Sequence, residues 1–241
     1  TMYNPDDYTR GSGTENLTLD KAVSQVLSNV YGWMAIGLAI TALVAMGIAA
    51  SPYYWQLCAS SKIFLWIPII AELAIVFIVG AKINTMSFST MTLLMILYAA
   101  INGVTMAAIF LIYTAESIAT TFVTCAATFG AMCFVGHTTR TDMTSWGKYF
   151  MMALIGIIIA SVVNWFVGSS GLALFISYAG VLLFVGLTAY DAQKIKLMVQ
   201  QNYQYGSLDM RKLALWGSLT LYLDFINLFI YLLRILGSRR D

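Results

Sequence analysis

Long apolar runs follow one another along this chain with almost nothing between them, and that succession limits its fold more than any other feature. Predominantly apolar segments fall at about residues 29–50, 64–80, 88–113, 117–135, 147–167, 172–190 and 213–236. Each approaches the roughly 20 residues that an α-helix needs to cross a bilayer core. Backbone groups in hydrocarbon must bond within their own segment, so such runs fold as helices. Composition agrees, with 60% hydrophobic and 10% charged residues against roughly 45–50% and 25% in a soluble domain. The chain therefore reads as an all-α polytopic membrane protein with seven transmembrane helices. Residues 1–24 read as a polar cytoplasmic N-terminal tail and the start of an amphipathic helix, 25–237 as the seven-helix membrane domain, and 238–241 as a short C-terminal tail.

Leu19, Val23, Val26 and Val30 recur at spacings of four, three and four, the pattern of a helix that lies on the membrane surface and leads into the first span. Residues 2–20 are polar and acidic and lack the basic start and short apolar core of a cleaved signal, so the first span is expected to be retained. Tyr53, Tyr54, Trp55, Trp66, Tyr113, Trp146, Trp165 and Trp216 gather at the ends of the spans, where interfacial aromatic belts belong. Under seven spans, Arg10, Lys21, Lys82, Arg140, Lys148, Lys194, Lys196, Arg211 and Lys212 fall on the side of the N-terminus, while Lys62, Arg234, Arg239 and Arg240 fall on the other. The positive-inside rule then places the N-terminus in the cytoplasm and the C-terminus outside.

Small residues, such as Gly156 with Ala160 and Gly180 with Gly186, point to close helix packing. All three prolines lie at or before Pro68, which argues against a transporter built on proline-broken helices. Cys58, Cys125 and Cys133 show no CxxC spacing and read as apolar packing residues. The single His137, with no partner ligand nearby, reads as a loop histidine at the membrane surface, since zinc asks for three or four ligands. A net charge of +2, spread through the loops, excludes a nucleic-acid partner.

Ionisable side chains at membrane depth cost at least about 2.5–3.5 kcal/mol on insertion scales, so each demands a reason. Glu72 falls in the middle of the second span, Asp191 at the inner end of the sixth, and Asp224 about 16 Å into the seventh. A short turn region from about residue 196 to 211 makes the last two spans antiparallel neighbours, and Asp191 and Asp224 are then able to meet. Coulomb repulsion at low dielectric keeps two such carboxyls from ionising together, so the pair shares a proton and acts as a latch. Protonated, it ties the two helices by a hydrogen bond; ionised, it repels or recruits a cation. Calcium suits carboxylate oxygens. Two carboxylates make only a weak site, completed by water, carbonyls or polar neighbours such as Thr188, Tyr222 and Asn227, and weak binding suits conduction. The plainer alternatives are that Asp191 pairs with Lys194 or another loop cation, that Asp224 bonds a buried hydroxyl, and that Glu72 pairs with Lys82 or a polar group of a neighbouring helix. Asn102 and Asn164 read as bonds between helices.

The segments Gly186-Leu-Thr-Ala-Tyr-Asp191-Ala-Gln-Lys-Ile-Lys196 and Leu213-Ala-Leu-Trp-Gly-Ser-Leu-Thr-Leu-Tyr-Leu-Asp224-Phe-Ile-Asn227 resemble the last two spans of the Bax inhibitor-1 family, also called the transmembrane Bax inhibitor motif family. Thr138-Thr-Arg-Thr-Asp-Met-Thr-Ser-Trp-Gly147-Lys is similar to its loop between the fourth and fifth spans. The resemblance implies seven helices with the seventh central, and a pH-sensitive calcium leak whose sensor is a pair of aspartates, matched here by Asp191 and Asp224. It also implies a basic residue from the second-helix region near the pair, for which Lys82 is the candidate. Bacterial members are inner-membrane proteins, some linked to a membrane-bound quality-control protease, whereas eukaryotic members sit mainly in the endoplasmic reticulum or Golgi; the short tail and compact loops resemble the bacterial ones.

Other functions are weighed on the same residues. Two aspartates on adjacent helices also resemble the intramembrane aspartyl proteases. Here, however, Leu221-Tyr-Leu precedes Asp224 in place of their Gly-x-Gly, and no proline follows Pro68, so no enzyme is expected. A non-conducting regulator that binds a membrane protease or another partner through its N-terminal tail is the alternative. No cofactor is expected beyond calcium as the transported or weakly bound ion.

Overall fold

In the computed structural model, the backbone is described for residues 5–205 and 209–240 and the side chains for 18–204 and 209–240. The helices are α1 (Pro5–Ala49), α2 (Pro52–Ser60), α3 (Ile63–Lys82), α4 (Phe88–Ile112), α5 (Ala115–Thr138), α6 (Gly147–Val167), α7 (Ser170–Tyr205) and α8 (Met210–Leu236), with a 3₁₀ turn at Thr144–Trp146 before α6. Seven of them, all but α2, are long and apolar enough to cross a membrane. The chain is an all-α integral membrane protein.

Local chemistry sets the helix ends. The side chains of Ser87 and Thr114 accept the backbone N–H groups of Thr90 and Ser117 and so start α4 and α5, meeting donors that have no partner inside the helix. Pro52 opens α2, a short helix absent from the sequence reading. Gly168, with φ of 67°, closes α6 in the left-handed conformation that glycine adopts without strain.

The last helix is the axis of the bundle. Half of the α8 span is buried, against 6% for α6, and α8 packs on α1, α4, α5 and α7. Two glycines allow the tightest approaches. A Cβ on Gly103 of α4 would lie 2.7 Å from the carbonyl oxygen of Thr41 in α1, and one on Gly136 of α5 would collide with the carbonyl of Ala189 in α7. Gly180 and Gly186 receive the rings of Tyr231 and Phe150. Gly156, by contrast, has open space where a side chain would stand, so the expected close approach is not formed there, while Ala160 packs against the core.

The structure corrects other expectations. The sequence between 196 and 205 is helix: no glycine or proline falls between 187 and 205, so the helix runs well past the predicted end at 190 and Asp191 lies inside it. The face of Val23, Val26 and Val30 is buried against the bundle core. Its helix is continuous with the first span. His137 belongs to the last turn of α5, not to a loop, and its Nε2 is 2.6 Å from the Tyr31 hydroxyl of α1. Asn164 accepts the N–H of Ser169 and closes its own helix, whereas Asn102 does bond across helices. Cys58, Cys125 and Cys133 are buried and free.

Candidate functional site

A cavity of about 680 Å³ opens among α3, α6, α7 and α8. Its charged lining residues are Glu72, Asp191, Lys194 and Asp224, with Thr220 and Asn227 adding polar groups. Each carboxyl comes from a different helix or a different turn, and the packing of α7 on α8 is what brings two of them together. Asp191 and Asp224 are 8% and 4% exposed and line the same cavity from α7 and α8. The Oδ2 atom of Asp224 is buried without a hydrogen-bond partner. A buried oxygen in that state costs free energy that any arriving proton or cation relieves.

Glu72 lines the same cavity from α3. Its Oε1 accepts a hydrogen bond of 2.9 Å from Thr105 of α4, which explains how this carboxyl is tolerated without Lys82. Lys82 stands in the last turn of α3, exposed and outside the cavity lining, about 15 Å along the helix from Glu72. It therefore takes no part in the site. Lys194 is instead the cation that lines the cavity, with its Nζ 5.7 Å from the ring centroid of Tyr190 and 5.6 Å from that of Trp216. It makes no ion pair with Asp191; among the described residues the ion pair formed is Arg211 with Asp209, at 2.9 Å.

Three polar residues named from the sequence are otherwise engaged. Tyr222 points away from the cavity: its hydroxyl donates to Asn102 Oδ1 at 2.9 Å and lies 2.6 Å from Thr41 Oγ1. Thr188 donates to Phe184 O in its own helix, and Asn227 Nδ2 donates to Leu223 O, leaving the Asn227 carbonyl oxygen as its contribution to the cavity. Among the described residues no three His, Cys, Asp or Glu side chains assemble around a point where a metal ion would fit. Two carboxylates with hydroxyl and amide oxygens nearby make at most a weak, hard-cation site.

Sequence reasoning missed Gln193. Two residues beyond Asp191, its Nε2 donates to Thr141 O at 2.9 Å and its Oε1 accepts from Met143 N at 2.8 Å. Lys196 adds a bond of 2.8 Å to His137 O. The loop before α6 is thus pinned to the helix that carries Asp191. Within that loop Asp142 accepts from both the hydroxyl and the N–H of Thr144, and these bonds hold its carboxyl below the usual range. Asp209, bonded to the Arg211 side chain and N–H, is lowered likewise. The motif-like string Asp-Ala-Gln-Lys was the available signal, but one residue's bonds to a distant loop leave no local trace.

These observations define a class: a seven-helix integral membrane protein with a cavity among α3, α6, α7 and α8 that is lined by three carboxyl side chains. The chain belongs to the Bax inhibitor-1 family, since the family model described as "Inhibitor of apoptosis-promoting Bax1" matches residues 23–241. Among its relatives, the "Inner membrane protein YbhL" of Escherichia coli strain K12 is 48% identical over 214 residues, covering 89% of this chain and 92% of that one. A protein of Borreliella burgdorferi is 44% identical over 90% of this chain and 94% of its own length. The protein RP147 of Rickettsia prowazekii is 40% identical over 98% and 99%.

Proposed function

We propose that this protein is a pH-sensitive calcium leak of the membrane, gated by the proton-sharing pair Asp191 and Asp224, with calcium as the permeating ion and no enzymatic activity. The observation that carries this reading is the meeting of two buried carboxyls in one cavity, with Asp224 Oδ2 lacking a partner. Like charges buried in one low-dielectric cavity resist ionising together, so the pair holds a proton; when it gives the proton up, the helices separate or a cation enters. Glu72 serves as an accessory carboxylate on the same cavity wall. Weak coordination by two carboxylates favours passage over storage.

The name of the Escherichia coli relative supports placement in a bacterial inner membrane. The distribution of Lys and Arg supports a cytoplasmic N-terminus and an external C-terminus. Reconstitution in liposomes loaded with a calcium-sensitive dye tests the reading. Influx that varies between about pH 5 and 8 in the wild type, and loses that variation in both Asp191→Asn and Asp224→Asn, is expected. Flux no greater than through empty liposomes at every pH would refute it and shift the function to partner binding, with a membrane-bound quality-control protease as the first partner to test.

A further inference from the structure

The cavity brings a cation of its own. Lys194 follows Asp191 by three residues on α7, so both side chains leave the same face of the helix. Its ammonium rests between the rings of Tyr190 and Trp216, at 5.7 and 5.6 Å from their centroids, within cation–π range. The polar groups that line the cavity with it include Asp191 and Tyr190 on its own helix, Thr220, Asp224 and Asn227 on α8, and Glu72 on α3, while Trp216 adjoins the ammonium from α8. Burial leaves these carboxyls little water to screen them, and a flexible four-carbon stem lets the ammonium move between the aromatic rings and the acids.

We propose that Lys194 is a tethered counter-ion of the aspartate pair and competes with divalent cations for it. The proposal rests on the reading of the cavity as a cation site. A positive charge in the same cavity as a bound calcium ion repels it and also satisfies part of the negative charge that would attract it. The aromatic cradle gives the displaced ammonium somewhere to go, which makes the exchange reversible. An ammonium is a point charge without the two-pronged grip of a guanidinium, so it yields to a divalent ion more readily than arginine would. Lys194 thereby keeps affinity low and prevents the site from trapping its ion.

Calcium binding to the full chain in detergent, followed by calorimetry at one fixed pH, tests this in wild type, Lys194→Met, Lys194→Arg and Asp224→Asn. Because the ammonium lines the same cavity as the carboxyls and charges there are weakly screened, Lys194→Met is expected to bind calcium at least about tenfold more tightly than wild type. Lys194→Arg should bind no more tightly than wild type, and Asp224→Asn should lose binding. Tightening is not what a merely structural lysine would produce, and Lys194→Gln supplies a second neutral side chain should methionine disturb the fold. If wild type binds calcium and both neutral variants bind it equally or more weakly, the role of Lys194 is overturned and the cation site stands. If neither wild type nor the neutral variants bind, both readings fall together.

Discussion

Gln193 holds Thr141: its amide nitrogen donates to the Thr141 carbonyl at 2.9 Å across 52 positions of chain, while its oxygen takes the N–H of Met143 at 2.8 Å. A single side chain on the aspartate-bearing helix thus satisfies two backbone groups of the loop ahead of α6. Gln193→Ala should leave both without a protein partner and cost about 1–3 kcal/mol. Hydrogen exchange at the Met143 amide should accelerate, and thermal unfolding in detergent should move down. An unchanged exchange rate would show that the loop is held by other means.

Tyr222 separates the support of the bundle from its chemistry. Removing its hydroxyl in Tyr222→Phe strands Asn102 Oδ1 in a buried position and should cost about 1–3 kcal/mol of stability. The side chain does not line the cavity, so the pH dependence of calcium flux in liposomes should remain that of the wild type. A flux that loses its pH dependence would place Tyr222 in the gate after all.

Two glycine substitutions should act in opposite directions. In Gly136→Ala the new methyl meets the carbonyl of Ala189, which is backbone and cannot turn aside. Helices α5 and α7 must move apart, at a cost of about 1–3 kcal/mol or more. Gly156→Ala adds a methyl into open space in mid-helix and should stabilise by roughly 0.5–1 kcal/mol. Melting temperatures in one detergent compare them, and equal shifts would contradict the packing described.

Acid should loosen the loop through Asp142. Its carboxyl is held below the usual range by the hydroxyl and N–H of Thr144, so the folded state binds a proton less readily than the unfolded one. The stabilisation is therefore present above the unfolded value, near 3.9, and is lost as pH falls below it through the lowered folded value. Protection of the Thr144 amide against hydrogen exchange, corrected for intrinsic rates, should hold down to about pH 4 and fall beneath it. Asp142→Ala should show the low protection throughout. A wild type whose protection does not change across that range would exclude the bond as the source.

Much of this protein was legible in its sequence because the bilayer leaves few options. An apolar run of about twenty residues has to become a helix, and an acid inside it has to find a reason to stay. Glu72, Asp191 and Asp224 stood out by that argument alone, as did the neighbourly placement of the last two spans. Lys82 was misjudged because proximity in sequence to the second span says nothing about which way an exposed last turn faces. Tyr222 and Thr188 were offered as ligands since their types allow it, yet their hydroxyls are spent on α4 and on their own helix.

Hydropathy and residue type by themselves determined the class, the seven long apolar helices and the acids that fall within them, because transfer from water to hydrocarbon is a property of each segment taken alone. Tertiary structure alone decided that Lys194 rather than Lys82 shares the acids' cavity, and that Gln193 ties the loop to the same helix. Those outcomes depend on how helices rotate and approach one another. That is set by packing at Gly103, Gly136 and the rest of the interface, whose partners lie tens of residues away and leave no signature in any local stretch of the chain.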